Sequence, residues 1–123
     1  MFNRKPKAES FKPAMYRQGD VLLEMIAPAD TPIGEMLKPV ARDKGRVVLA
    51  YGEVTGHAHA IGQPKVYHYR ASEGGSGDTV LKVEEPATLQ HEEHATIDLP
   101  PGLYRVTRQR EWTDEDEIRY VAD

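Results

Sequence analysis

Apolar and polar residues alternate in short runs along most of this chain, and the periodicity of an amphipathic helix is nearly absent. Runs rich in β-branched and aromatic residues recur at short intervals, separated by clusters of Gly, Pro, Asp and Ser. The predicted strands lie in YRQGDVLLEMI, RVVLAY, HAHAI, VYHYR, TVLKVEE, ATLQH, ATIDL, GLYRVTRQREW and IRYVAD. We therefore expect an all-β fold, a single small β-barrel or β-sandwich with mostly antiparallel pairing.

Two segments interrupt this pattern, one rich in Pro, Gly and Asp and the other rich in Gly. APADTPIGEMLKPVARDKG predicts a long connection with one short helical turn near GEML, and SEGGSGD predicts a mobile hairpin tip. In the last long run, Tyr104, Val106 and Arg108 share one face of a strand. Neither face of that strand is purely apolar, so we expect one of them to line a pocket or an interface.

Length and charge indicate a single domain with a distinct beginning. The chain has 123 residues and a net charge of −4, enough for one modest core. Residues 1–14 carry four Lys and Arg residues against one Glu, whereas acidic residues predominate after residue 110. We expect a flexible basic arm over residues 1–14, followed by a single β domain over residues 15–123. The acidic body argues against nucleic acid as the main partner.

Several classes of protein are disfavoured by composition. The chain has no cysteine, which excludes disulfides and thiolate zinc sites. No apolar run approaches the roughly 20 residues that span a bilayer, and the beginning of the chain lacks the apolar region of a secretory signal. We therefore expect a cytoplasmic protein without a membrane partner. Phosphate-binding loops and serine nucleophile elbows are also missing from the sequence.

Four of the five histidines form two close pairs. His57 and His59 lie in GHAHAI, and residues at i and i+2 of an extended strand point to the same face. His91 and His94 enclose two glutamates in QHEEHA, where a bend or bulge would bring their rings together. Imidazole is a common ligand of zinc, nickel, iron and manganese. The two pairs together predict a site for one divalent transition metal.

Other polar residues near the histidines are candidates for catalysis. Glu53 and Glu93 are candidate general bases, and Arg108 is a candidate to hold an anionic substrate. Glu92 offers a carboxylate ligand or an orienting group on the same grounds. His68 is the least suitable ligand, because no neighbour in sequence would complete a coordination shell around it.

The His-x-His segment and the later LPPGLYRV resemble a minimal cupin. That resemblance implies a small barrel in which two short motifs on facing strands supply the metal ligands. The chain departs from the cupin pattern at two places. Ile61, Gly62, Gln63 and Pro64 stand where cupins usually have a glutamate, and the second histidine pair precedes the Pro-Gly turn instead of following it.

A fuller resemblance over residues 16–123 is to a group of short bacterial and phage-encoded proteins without an assigned function. It is carried by YRQGDVLL, VVLAYGEVTGHAHAI, PATLQHEEHATIDLPPGLYRVTRQREW and RYVAD. It implies a self-contained domain with both histidine segments as its signature.

Three functions remain open from the sequence. The first is a metal-binding β-domain, either structural or catalytic, with a metal-dependent hydrolase or another small metalloenzyme as its catalytic form. The second is metal-free acid–base cleavage of a phosphodiester by two histidines of opposite protonation state, as in ribonucleases. The third is a non-enzymatic assembly module of a phage or mobile element that forms homo-oligomers through its strand edges.

Overall fold

The computed structural model describes residues 14–52, 56–71 and 77–108, and these contain strands and turns but no helix. The alternation of the sequence is expressed as ten short strands. In chain order they are β1 (Met15–Gln18), β2 (Val21–Ala27), β3 (Leu37–Pro39), β4 (Val47–Tyr51), β5 (Ala58–Ile61), β6 (Val66–Ala71), β7 (Thr79–Val83), β8 (Ala87–Gln90), β9 (Ile97–Leu99) and β10 (Gly102–Arg108).

The strands form two antiparallel sheets. The larger sheet has the order β1-β2-β10-β7-β6-β3, and the smaller one has the order β4-β5-β8-β9. Within the described residues the sheets are not joined into a closed barrel. The expected all-β antiparallel fold is therefore confirmed, and of the two architectures predicted the sandwich fits.

Both sheets contribute to one hydrophobic core. The inward positions of β2 (Val21, Leu23 and Met25) alternate with more exposed ones, as the sequence pattern predicts. On β10, Tyr104 is fully buried and donates a hydrogen bond from its hydroxyl to the carbonyl of Pro100 (2.6 Å). This bond holds the turn before β10 and satisfies the polar end of a buried aromatic ring.

The first predicted strand is a hairpin. β1 and β2 pair antiparallel around a two-residue turn, in which Gly19 has a φ of +61°. Two-residue hairpins need a positive φ at the first turn position, which glycine adopts without steric cost. The pairing of Gln18 with Val21 puts the Gln18 side chain on the core side of the sheet, where it is 2% exposed.

The long connection after β2 contains a strand that the sequence did not predict. The expected helical turn near GEML is wrong. The backbone N–H of Leu37 donates to the carbonyl of Gly34 (3.3 Å) and closes an isolated turn, which does not continue as a helix. β3 follows directly and pairs with β6 at the edge of the larger sheet. An edge position tolerates Pro39, since only one side of an edge strand needs backbone donors.

Several sequence predictions lie outside the described residues. They concern the basic arm, most of the SEGGSGD tip, Glu53, and the end of the chain from residue 109. At the beginning of the domain, the carbonyl of Ala14 accepts a hydrogen bond from the backbone N–H of Met25 (2.8 Å), which extends the β1–β2 pairing. Among the described residues no helix is long and apolar enough to cross a membrane.

Candidate functional site

All four histidines of the two sequence pairs line one cavity of about 300 Å³, which we call the histidine pocket. The other polar side chains of the pocket are Asp20 and Arg108, from the larger sheet and its β1–β2 turn, and Glu93, from the loop between β8 and β9. The lining residues are His57, His59, His91 and His94, together with Asp20, Gly52, Glu93 and Arg108.

The first histidine pair is placed by β5. His59 lies within this strand and is 3% exposed, while His57 directly precedes it. Gly52, after β4, donates its backbone N–H to the carbonyl of His57 (2.9 Å), and a Cβ on Gly52 would lie 3.1 Å from that of His57. A glycine at this position therefore allows the chain to approach His57 closely.

The second pair is placed by the bend after β8. β8 ends at Gln90, and residues 92–94 turn before β9 begins. The ring centroids of His91 and His94 are 4.7 Å apart, so a spacing of three brings the rings together because the backbone bends. The backbone N–H of Glu93 donates to Nδ1 of His91 (3.0 Å) and supports this bend.

His91 is the central ring of the four. Its centroid lies 4.3 Å from that of His59 and 5.8 Å from that of His57. His59 and His94 are nearly parallel, with centroids 6.0 Å apart and an interplanar angle of 18°.

Among the described residues, one group of three side chains could hold a metal ion. His57, His91 and Glu92 each offer a ligand atom, and these atoms all lie within 4.8 Å of one another. Glu92 also accepts a hydrogen bond at Oε1 from the backbone N–H of Ala58 (3.0 Å). This hydrogen bond lowers the pKa of Glu92 and keeps its carboxylate ionised, as a metal ligand must be.

His59 is held from the side opposite the pocket. Its Nδ1 lies 2.8 Å from Oε1 of Gln18, a residue buried in β1. Burial, followed by the nearby His91 ring, lowers the pKa of His59 to about 4. The ring is therefore neutral near pH 7 and keeps one nitrogen lone pair.

Asp20 and Arg108 close the pocket from the larger sheet. Arg108 donates from Nε to Oδ2 of Asp20 (2.9 Å) and from Nη2 to the carbonyl of Tyr51 (3.1 Å). The other carboxylate oxygen of Asp20, Oδ1, lies 3.6 Å from Nε2 of His59. Arg108 thus fixes a carboxylate that faces an imidazole nitrogen.

The hydrogen bonds place the proton differently on two of the rings. Because His91 accepts a hydrogen bond at Nδ1, its neutral form carries the proton on Nε2. His59 has a buried amide oxygen at Nδ1, which requires a proton there and leaves Nε2 unprotonated. The two neighbouring rings therefore offer one donor and one acceptor.

The catalytic candidates from the sequence have different surroundings. Glu93 is exposed, and its Oε2 lies 3.5 Å from Nδ1 of His57. Arg108 lines the pocket but is already engaged by Asp20 and Tyr51. Glu53 lies outside the described residues. His68 is away from the pocket, buried in the larger sheet with Nε2 2.8 Å from Oγ1 of Thr79.

Sequence reasoning missed Gln18 and Asp20, which flank Gly19 in the β1–β2 turn. The available signal was the pair Gly-Asp, which is a common two-residue hairpin turn. Dividing YRQGDVLL at that turn would have put Gln18 opposite Val21, facing the core, and Asp20 at the edge of the pocket.

Comparison with known proteins identifies a family whose function is unknown. No curated protein and no solved structure gives a significant match to this chain. The model of a domain of unknown function, DUF8820, matches residues 17–109. That range includes both histidine pairs and every described strand except the beginning of β1. The chain therefore belongs to the family of the domain of unknown function DUF8820.

Proposed function

We propose that this domain binds one divalent transition metal ion beside the histidines of the histidine pocket, with Glu92 as a ligand from outside the residues that line the pocket. The observation that carries the proposal is the group of His57, His91 and Glu92, whose ligand atoms all lie within 4.8 Å of one another. His59 and His94 line the same cavity and are the further candidate ligands. Two or three imidazoles with one carboxylate suit zinc, nickel, iron or manganese.

The charge around the pocket supports a cationic occupant. Asp20, Glu92 and Glu93 bring three carboxylates, against the single guanidinium of Arg108. With neutral imidazoles, this leaves an excess of two negative charges, which a divalent cation would balance.

Metal binding at His91 requires a local change. Both nitrogens of this ring are engaged in its neutral form, one as acceptor from Glu93 N–H and the other by its own proton. Binding at Nδ1 therefore replaces the hydrogen bond from Glu93, whereas binding at Nε2 moves the ring proton to Nδ1, where it opposes the N–H of Glu93. We expect the bend at residues 92–94 to move when the metal binds.

The pocket also has the size for a small substrate. Its volume of about 300 Å³ is at the lower end of small-molecule sites. A bound metal with an open position would supply Lewis-acid polarisation of a carbonyl or phosphoryl group. Glu93 next to His57 suits an orienting carboxylate or a base, and Arg108 retains a partly exposed guanidinium beside the cavity.

Metal content of the purified chain tests this proposal. We expect a tag-free preparation to bind zinc stoichiometrically by elemental analysis and by titration calorimetry, and to lose most of its affinity in His57→Ala, His91→Ala and Glu92→Gln. His68→Gln is the matched control, since His68 is the histidine outside the pocket and Gln keeps a donor toward Thr79. Absence of binding by the parent chain, or equal loss in the control, would contradict the proposal.

A second function is supported by the adjacent rings of His59 and His91. Their centroids are 4.3 Å apart, and His59 is neutral near pH 7 with an unprotonated Nε2 that suits a base. The acid of such a pair would be the imidazolium form of His91, because the N–H of a neutral imidazole does not act as a general acid. A phosphodiester is the substrate class that suits such a pair, with Arg108 of the same cavity to hold its anionic group.

Chelation separates the two functions. We expect acid–base cleavage of an activated phosphodiester to survive a strong chelator and to be lost in both His59→Asn and His91→Asn. Activity that disappears on chelation and returns with zinc would instead assign the reaction to the metal.

A further inference from the structure

The orientation of the Gln18 amide is decided by two backbone carbonyls. Its Nε2 donates to the carbonyl of Leu89 (3.0 Å) and to the carbonyl of Ala95 (2.9 Å). An amide NH₂ has two protons, and both are used here. A flipped amide would set its oxygen against two other oxygens in a buried site, which the structure excludes on energetic grounds.

This orientation dictates where His59 carries its proton. The Gln18 oxygen faces Nδ1 of His59 at 2.8 Å, and an amide oxygen only accepts hydrogen bonds. Nδ1 is therefore the protonated nitrogen, and the lone pair of the neutral ring is at Nε2.

The lone pair at Nε2 faces a carboxylate oxygen. Oδ1 of Asp20 lies 3.6 Å away, and the other oxygen of Asp20 is held by Arg108. Two acceptor atoms face each other here without a proton between them, an arrangement that a cation stabilises. Nitrogen and oxygen ligands of one tetrahedral zinc ion are separated by about 3.4 Å, from bond lengths of about 2.0 to 2.2 Å.

We infer that His59 Nε2 and Asp20 Oδ1 are a prepared ligand pair for the cation of the histidine pocket, and that Gln18 is the positioning residue that prepares it. The inference rests on the proposed function for the identity of the occupant. It adds Asp20 to the ligands and assigns a role to Gln18, which acts only through His59.

Proton–nitrogen correlation spectra of the histidine rings test, without metal, whether Gln18 fixes the proton of His59 at Nδ1. In the metal-free parent chain at neutral pH, we expect His59 to be protonated at Nδ1 and unprotonated at Nε2. In Gln18→Met, which keeps the side-chain length but offers no acceptor of comparable strength, we expect the Nε2-protonated form to appear. A parent spectrum with the proton on Nε2 would overturn the inference even if the variant failed to fold.

Zinc titration tests whether Asp20 and the His59 ring positioned by Gln18 contribute to metal binding. We expect Gln18→Met and Asp20→Asn each to weaken zinc binding by about 10- to 100-fold. Gln63→Met is the control for Gln18, because Gln63 likewise binds a backbone group, the N–H of Thr88 (3.1 Å). Glu24→Gln is the control for Asp20, because Glu24 forms a comparable ion pair with Arg105 (2.8 Å).

The outcomes separate this inference from the proposed function. Loss of zinc in His57→Ala and His91→Ala, with unchanged affinity in Gln18→Met and Asp20→Asn, would retain the metal site and overturn the ligand pair. A lower melting temperature in Gln18→Met with an unchanged His59 spectrum would reduce Gln18 to a structural residue. Failure of the parent chain to bind zinc would remove the proposed function together with this ligand pair.

Discussion

Gly19 lies close to two imidazole rings of the histidine pocket. A Cβ at this position would lie 2.8 Å from Nε2 of His94 and 3.2 Å from Cε1 of His59. The glycine is thus required twice, once for its φ of +61° and once because two imidazoles rest against it.

Replacement of Gly19 by Ala separates these two requirements. Gly45→Ala is the matched control, since Gly45 has a φ of +82° but nothing within 4 Å of the added Cβ. We expect both variants to lose about 1 to 2 kcal/mol of unfolding free energy from the left-handed backbone, measured by urea titration. Only Gly19→Ala should also weaken zinc binding, and equal zinc affinity in both variants would contradict the assigned contact.

The residues of the pocket differ in how far the sequence reveals them. The histidine pairs stand out because four of the five histidines fall in two pairs that are close in sequence. Gln18 and Asp20 do not, because their role depends on contacts with residues 41 and 88 positions away. Local pattern carries no information on such pairs.

At the level of single elements, β6 carries the buried His68. The ring is 8% exposed, its Nδ1 has no hydrogen-bond partner within the described residues, and burial lowers its pKa to about 4. The folded chain thus resists protonating a group that the unfolded chain protonates near pH 6.5.

This difference predicts that the free energy of unfolding falls in acid because of His68 on β6. Between pH 6.5 and pH 4 the unfolded state binds more protons at His68 than the folded state does. His68 therefore does not reduce the unfolding free energy above pH 6.5, and it reduces it progressively as the pH drops toward 4. Relative to His68→Gln, we expect the parent chain to lose about 3 kcal/mol of unfolding free energy across this window. Any contribution from His59 is common to both chains, and parallel pH profiles would contradict the prediction.

The strands show what periodicity can and cannot predict. The runs from β4 to β10 were identified because their apolar positions alternate and glycines or prolines separate them. β3 was missed because three residues with a proline form too short a pattern, and its pairing with β6 is a tertiary contact. β1 and β2 were merged because their turn is only two residues long.

At the scale of the whole molecule, the first element of the sandwich within residues 14–52, 56–71 and 77–108 is the β1–β2 hairpin. Ala14 takes part in its pairing, and the family match begins at residue 17. The prediction of a β domain that starts near residue 15, preceded by a basic segment, can therefore be tested at this point of the chain.

Deletion of residues 1–13 tests that boundary. We expect the unfolding free energy to change by less than about 0.5 kcal/mol and zinc affinity to stay the same, as for changes away from a core. Light scattering of both chains examines the alternative of an assembly module: a mass that falls to that of the monomer on deletion would assign the arm to oligomerisation and contradict the prediction.

Alternation also predicted an antiparallel all-β fold, but not the choice of sandwich over barrel. That choice depends on which edge strands pair, and among the described strands the edges are β1, β3, β4 and β9. No local pattern distinguishes an edge strand that pairs from one that ends a sheet.

The histidine pocket draws its walls from both sheets. Asp20 and Arg108 belong to the larger sheet, whereas the histidines belong to the smaller sheet and its loops. An ion bound by both Asp20 and His59 would cross-link the two sheets of the sandwich. Removal of the ion would weaken the contact between the two sheets at the β1–β2 turn. Metal occupancy would therefore govern how often the sheets open locally there, as well as what binds in the pocket.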